Sequence, residues 1–103
     1  MPNEETSMHI LSKKALVNFW LTHKEAEKQL RVWYSICKKT NFENFAQLKR
    51  PFGSVDKVGK FTVFDIGGNK YRLIAVVHYT RRKIYIRHVL THEEYDLGHW
   101  KRE

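Results

Sequence analysis

A chain of 103 residues supports one hydrophobic core and not two, and hydrophobic content of 42% with 14% aromatics is that of an ordered globule rather than a disordered chain. Nineteen Lys and Arg against eleven Asp and Glu leave a net charge of +8, which directs attention to a polyanion, nucleic acid first, or to an acidic partner that covers the charge; the plainer reading is a basic solvated surface. The single cysteine, Cys37, excludes an internal disulfide and a cysteine-rich zinc site, and with no signal-peptide pattern and no apolar run of about 18 residues the chain is expected in the cytosol, away from membranes.

Residues 1–7 (MPNEETS) are polar and patternless and are expected to be a frayed extension or expression remnant, leaving 8–103 as a single domain. The apolar run 8–11 predicts an edge strand. Ser12 is the expected N-cap of a helix whose Ala15, Leu16, Phe19 and Trp20 share one face. Thr22-His23-Lys24-Glu25 has the form of a capping box and predicts the start of a second helix, with Ala26, Leu30, Trp33 and Cys37 as its inward stripe and Lys24, Lys28, Arg31, Lys38 and Lys39 largely off it. On that stripe Trp33 reads as core rather than a base-stacking residue, and Cys37 as a small buried hydrophobe rather than a nucleophile. Thr40-Asn41-Phe42-Glu43 predicts a further cap and a short helix over 43–48, ended by Pro51 and Gly53, after which 54–60 reads as a polar loop.

Three runs rich in β-branched and aromatic residues follow, 61–66, 70–79 and 83–90, separated by Gly67-Gly68-Asn69 and Thr80-Arg81-Arg82. They predict an antiparallel meander, the first turn using glycines to reach positive φ. A two-residue second loop, Arg81-Arg82, would pair Thr80 with Lys83, Tyr79 with Ile84 and Val76 with Arg87. Tyr71, Leu73, Ala75, Val77, Ile84, Ile86 and Leu90 would then line one face, and Arg72, Ile74, Val76, His78, Tyr85, Arg87 and Val89 the other; a slip of one residue would exchange them. The first face is expected under the helices. The second, holding two arginines, is where chemistry is expected. Thr91-His92-Glu93-Glu94 predicts a third capping box and a short helix that carries His92 and Tyr95, followed by a tail from which Trp100 docks on the body.

Gly67-Gly68 lacks the spacing of a phosphate-binding loop, and the six histidines show no metal-ligand spacing, so no metal or cofactor is expected. What remains is Arg72, Arg87, His92 and Tyr95. Metal-free RNA cleavage, in which a ribose 2′-hydroxyl attacks the adjacent phosphate, needs two proton carriers and fixed positive charge for the transition state, and these residue types supply them. The structural alternative is equally open: arginines bridging carboxylates such as Asp65, with His92 and Tyr95 capping and packing the last helix.

The run 63–96 and its motifs Gly67-Gly68-Asn69, Arg72-Leu73, Tyr85-Ile86-Arg87 and Thr91-His92-Glu93-Glu94-Tyr95-Asp96, with Met8-His9-Ile10 leading into Lys14-Ala15-Leu16, resemble the HigB-type toxins of bacterial toxin-antitoxin pairs, within the RelE-like superfamily. The resemblance implies an α+β fold of order β-α-α-β-β-β, two N-terminal helices on one face of a small, mainly antiparallel sheet, and a short C-terminal helix. It implies an endoribonuclease that cuts messenger RNA, often on the ribosome, and is neutralised by a HigA-like helix-turn-helix antitoxin. Arg72 and Arg87 would then bind the scissile phosphate and His92 and Tyr95 transfer protons. Lys57, Lys60, His78, Arg81 and Lys83 are the expected contacts to the RNA backbone, a task basic residues perform without reading sequence. The competing expectations are a non-enzymatic RNA- or DNA-binding module, and a socket for an acidic peptide.

Overall fold

The computed structural model describes residues 8–102, so the extension expected for residues 1–7 lies outside the described residues. The element order is β1 (His9–Leu11), α1 (Lys13–Thr22), a 3-10 turn (Lys24–Ala26), α2 (Glu27–Lys39), α3 (Phe45–Leu48), β2 (Asp56–Val58), β3 (Phe61–Ile66), β4 (Tyr71–His78), β5 (Lys83–Thr91), α4 (His92–Leu97) and a closing 3-10 turn (His99–Arg102). The strands form one sheet in the order β1-β5-β4-β3-β2, with β1 parallel to β5 and every other pair antiparallel. This is the expected α+β arrangement, with one strand more. Asp56–Val58, read as polar loop, pairs its backbone with β3, and with Asp56 and Lys57 exposed and only Val58 half-buried there is no apolar alternation to announce it.

Of the three predicted capping boxes one forms. Thr91 Oγ1 accepts from the Glu94 amide at 3.2 Å while Glu94 Oε1 accepts from the Thr91 amide at 2.9 Å, which turns the end of β5 directly into α4. Thr22 instead ends α1, its hydroxyl donating to the Phe19 carbonyl at 3.2 Å, because Glu25 is taken by a distant partner: it accepts from the hydroxyl of Tyr71. The cap expected at Thr40 sits at Asn44, whose Oδ1 accepts from the Gln47 amide at 2.9 Å, with Gln47 returning the bond to Glu43. Ser12 occupies the N-cap of α1 with extended backbone but makes no side-chain cap bond.

The helices bury their stripes against one face of the sheet. Leu16, Trp20, Ala26, Leu30, Trp33 and Cys37 meet Ile10, Phe64, Ile66, Tyr71, Leu73, Ala75 and Ile84. Trp33 meets Phe64 edge to face at 5.3 Å, and Phe52 meets Phe64 in the same way at 5.1 Å. Cys37 is fully buried there, and burial pushes its thiol pKa up, so it packs as a hydrophobe.

The β4–β5 register corrects the expected one. His78 lies opposite Lys83, Val77 opposite Ile84 and Val76 opposite Tyr85, so the connection has four residues (79–82), with Arg82 at φ 55. The two-position shift preserves parity, and Ala75, Val77, Ile84 and Ile86 stay on the helix side as expected. Between Ile74 and Ala75 the register shifts again: Ala75 faces Ile86, but Ile74 faces His88, leaving Arg87 as the extra residue of a bulge. Parity reverses beyond it. Val89 joins the helix-side core and Leu90 crosses to the other face, the reverse of their expected placement. Arg72 therefore lies opposite Leu90, three positions from Arg87, or about 10 Å along the strand at the usual rise. The expected side-by-side arginine pair does not form.

The bond between Tyr71 and Glu25 ties β4 to the turn before α2. It pushes the Tyr71 hydroxyl pKa up to about 12, with burial adding to the effect, and holds the Glu25 carboxyl below its ordinary 4.5. A lowered folded-state carboxyl pKa contributes stability above pH 4.5 that is lost on acidification, and a raised phenol pKa contributes stability below pH 10 that is lost as pH rises toward 12. Tyr71→Phe is therefore expected to be less stable than wild type between those limits, with the gap in urea-unfolding free energy narrowing on both sides. A gap independent of pH would remove this account.

Candidate functional site

The face away from the helices has a core of its own. Strand alternation puts Phe61, Val63 and Asp65 of β3 on that face, with Arg72, Ile74, Val76 and His78 of β4. The bulge adds His88 and Leu90 to the Lys83 and Tyr85 already there. Gly98, at φ 76, ends α4 in a left-handed cap and reverses the chain, which no residue with a Cβ does as readily. Trp100 is thereby returned to the sheet, buried with Phe61, Val63 and Ile74. Its indole Nε1 donates to the Tyr95 carbonyl at 3.0 Å, its ring stacks on that of Tyr95 at 5.0 Å, and Phe61 meets it edge to face at 5.6 Å.

Arg72 and Tyr95, two of the four expected catalytic residues, are brought together. The Arg72 guanidinium lies 5.1 Å from the centroid of the Tyr95 ring. It is 9% exposed and its donors are committed within the fold: Nε to Asp65 Oδ1 at 2.9 Å, Nη1 to the Asn69 and Tyr71 carbonyls at 3.1 and 3.2 Å, and Nη2 to Asn69 Oδ1 at 3.1 Å. The bridge to Asp65 is the structural alternative left open by the sequence. Burial raises the Tyr95 phenol pKa, opposed by Arg72 and aided by Asp56, Asp65 and Asp96, so the group holds its proton. His92 and Arg87 are not part of this contact. His92 is exposed at the first turn of α4 with Nδ1 3.6 Å from Asp96 Oδ2, and Arg87 is exposed at the bulge.

The expected backbone contacts divide among three places. His78 and Lys83 are cross-strand partners on the second face, His78 meeting the Tyr85 ring edge to face at 5.2 Å, and Arg81 is exposed in the adjoining turn. Lys60 lies 5.2 Å over the Phe61 ring and shares a cleft of about 430 Å³ with Lys101, Val58, Gly59 and Phe61. Lys57 lies elsewhere. It is opposite Thr62, itself opposite Ala75 of the helix-side core, so it shares the helix side of the sheet edge, and its ammonium donates to the Gly59 carbonyl.

A group not anticipated lies at the end of β5. His88, Leu90, Glu94, Leu97, His99 and Trp100 line a cleft of about 270 Å³ between the strand and the C-terminal segment. The two histidines are eleven residues apart in sequence, and no local motif joins them; only the reversal at Gly98 does. A thread existed in the sequence: a capped short helix, a glycine after it and a tryptophan free to dock together imply a returning tail. Among the described residues, no three or more His, Cys, Asp or Glu side chains gather as a metal site would.

Asp65 is the carboxylate partner of the Arg72 guanidinium among the described residues, and breaking a buried pair from one side leaves an uncompensated charge, which costs about 3 to 5 kcal/mol. Asp65→Ala is expected to destabilise the fold by about that much, and Asp65→Ala combined with Arg72→Met by distinctly less. Equilibrium denaturation of the single and double variants checks this; equal losses would show that the charge is not the cause.

Residues 26–98 match the model of the HigB toxin family, described as the RelE-like toxic component of a toxin-antitoxin system. The mRNA interferase toxin HigB of Escherichia coli strain K12 is 35% identical over 93 residues, 87% of this chain and 89% of that protein. The mRNA interferase HigB of Shigella flexneri matches to the same extent. The mRNA interferase HigB of Escherichia coli O6:H1 is 28% identical over 92 residues, 86% of this chain and 89% of its own length. The match spans both helix-packed and open faces of the sheet and runs through α4, and the chain belongs to the HigB family of RelE-like toxins of toxin-antitoxin systems.

Proposed function

We propose that this chain is an mRNA interferase: an endoribonuclease that cuts messenger RNA on the open face of its sheet, by attack of a ribose 2′-hydroxyl on the neighbouring phosphate, and so inhibits translation. The observation that carries this reading is the 35% identity over 93 residues to relatives that bear that name. The chemistry needs no metal, since arginine supplies fixed charge and imidazole and phenol supply exchangeable protons. Messenger RNA is proposed to be met on the ribosome, in the cytoplasm, and the neutralising partner to be a HigA-like helix-turn-helix antitoxin; the net charge of +8 suits both an RNA substrate and an acidic cover.

The proposed roles are those the geometry supports. Arg87, exposed on the bulge beside His88, presents its guanidinium to phosphate oxygens. Arg72 has its donors engaged, so its part is to hold the Tyr95 ring and to add fixed positive charge behind it. Tyr95, kept protonated by burial, serves as a hydrogen-bond donor rather than a base. His92, exposed at the start of α4, is the remaining proton-transfer candidate of the original set. Lys60, His78, Arg81 and Lys83 guide the RNA backbone along the face. Lys57, on the helix side of the sheet edge, would touch only RNA that wraps the edge.

Single-turnover cleavage of messenger RNA, free and bound to ribosomes, with a metal chelator present, tests the reading. Wild-type protein is expected to cleave, and Arg87→Ala to slow cleavage by about 100-fold, the usual cost of one transition-state donor. Salt-steep binding with no cleavage in either form would replace the enzyme with the nucleic-acid-binding module.

A further inference from the structure

Cleavage by 2′-hydroxyl attack requires two proton carriers on opposite sides of one phosphate: a base for the attacking hydroxyl and an acid for the departing 5′-oxygen. The phenol of Tyr95 holds its proton too firmly to act as the base, and the ring of His92 lies beside Asp96 on its own helix, 49% exposed. Two imidazoles do line a single cleft. His88 comes from β5, put on the open face by the bulge, and His99 comes from the segment returned by Gly98. Imidazole is the side chain whose ordinary pKa allows either role near neutral pH.

The surroundings suit a reacting phosphodiester. Leu90, Leu97 and Trp100 give the cleft apolar walls against which a ribose or base can lie with water displaced. Glu94 also lines it, its carboxylate held by the Thr91 amide and hydroxyl at 2.9 and 3.1 Å. Arg87, next in sequence to His88, stands at the same point of the strand to neutralise the phosphate.

We propose that His88 and His99 are the general acid and base pair of the RNA cleavage reaction, acting on the phosphodiester of a single-stranded RNA seated in the cleft they share. The proposal rests on the mRNA interferase reading above. One imidazole takes the proton of the 2′-hydroxyl as the 2′-oxygen bonds to phosphorus. The phosphorus to 5′-oxygen bond breaks, and the other imidazolium gives its proton to the leaving oxygen. The products are a 2′,3′-cyclic phosphate and a 5′-hydroxyl, and exchange with solvent resets both rings.

The test uses full-length protein and an RNA, free or ribosome-bound according to which form the wild type cleaves, with either the natural linkage or a sulfur in place of the 5′-oxygen at the scissile position. A thiolate leaves without being protonated, so the variant that lacks the acid is rescued and the one that lacks the base is not. His88→Gln and His99→Gln are each expected to slow cleavage of natural RNA by 100-fold or more. Sulfur should restore one of them to within about tenfold of wild type on the same substrate. The unrescued variant should still bind an uncleavable 2′-deoxy analogue with wild-type affinity, which shows that its fold and RNA site are intact. A loss below threefold in either variant, or rescue of neither, overturns the pair. Failure of the wild type to cut any RNA would instead overturn the interferase reading itself.

Discussion

The one extra residue in β5 opposite the Ile74 to Ala75 step determines what the open side of this sheet is made of. An unbroken ladder alternates strictly, so the pairing near the turn, which sends Ile84 and Ile86 under the helices, would have sent His88 and Leu90 there too. The bulge breaks that sequence and lets Val89 serve the helix-side core while Leu90 meets the indole of Trp100 on the other side. Full burial of such side chains stabilises by roughly 1.5 to 3 kcal/mol each, enough to hold a short returning segment against a sheet. The same step carries the His88 imidazole to the open side, next to Arg87. Packing and chemistry there have one geometric origin.

Arg72 is the second fixed point. A single guanidinium holds Asp65 of β3, the carbonyl and side chain of Asn69 in the hairpin turn, and the ring of Tyr95 in α4. Because Tyr95 stacks on Trp100 and accepts its indole proton, the position of the last helix is transmitted from the β3–β4 hairpin through one charged group to the closing turn. Arginine suits this work: its planar fork can bond a carboxylate on one edge, carbonyls on the other, and stack on an aromatic face. A lysine would keep the charge and lose the arrangement.

Much of this was legible in the chain. The β-branched runs located β3, β4 and β5 to within a residue or so, the apolar stripes located α1 and α2, and Gly67-Gly68 announced a turn with both residues at positive φ. What escaped notice did so for physical reasons. Tyr79 has strand-like chemistry but belongs to a four-residue turn, and Ile86-Arg87-His88 contains no glycine or proline to mark a bulge. Thr22 to Glu25 has every residue of a capping box, yet a phenol 46 positions away claims the carboxylate. Arg72 and Tyr95 were foreseen as neighbours, whereas the pairing of His88 with His99 exists only after the tail has folded back, and local patterns do not encode distances across a reversal.

Among the described residues, both outer positions of the sheet are occupied by its shortest strands, three residues each in β1 and β2. Any extended peptide approaching sideways finds room for only a few main-chain bonds before the template runs out, which blunts self-stacking in a molecule rich in β-branched side chains. Edges this short favour recognition through side chains on the broad faces, by charge and shape, over recognition by added strands.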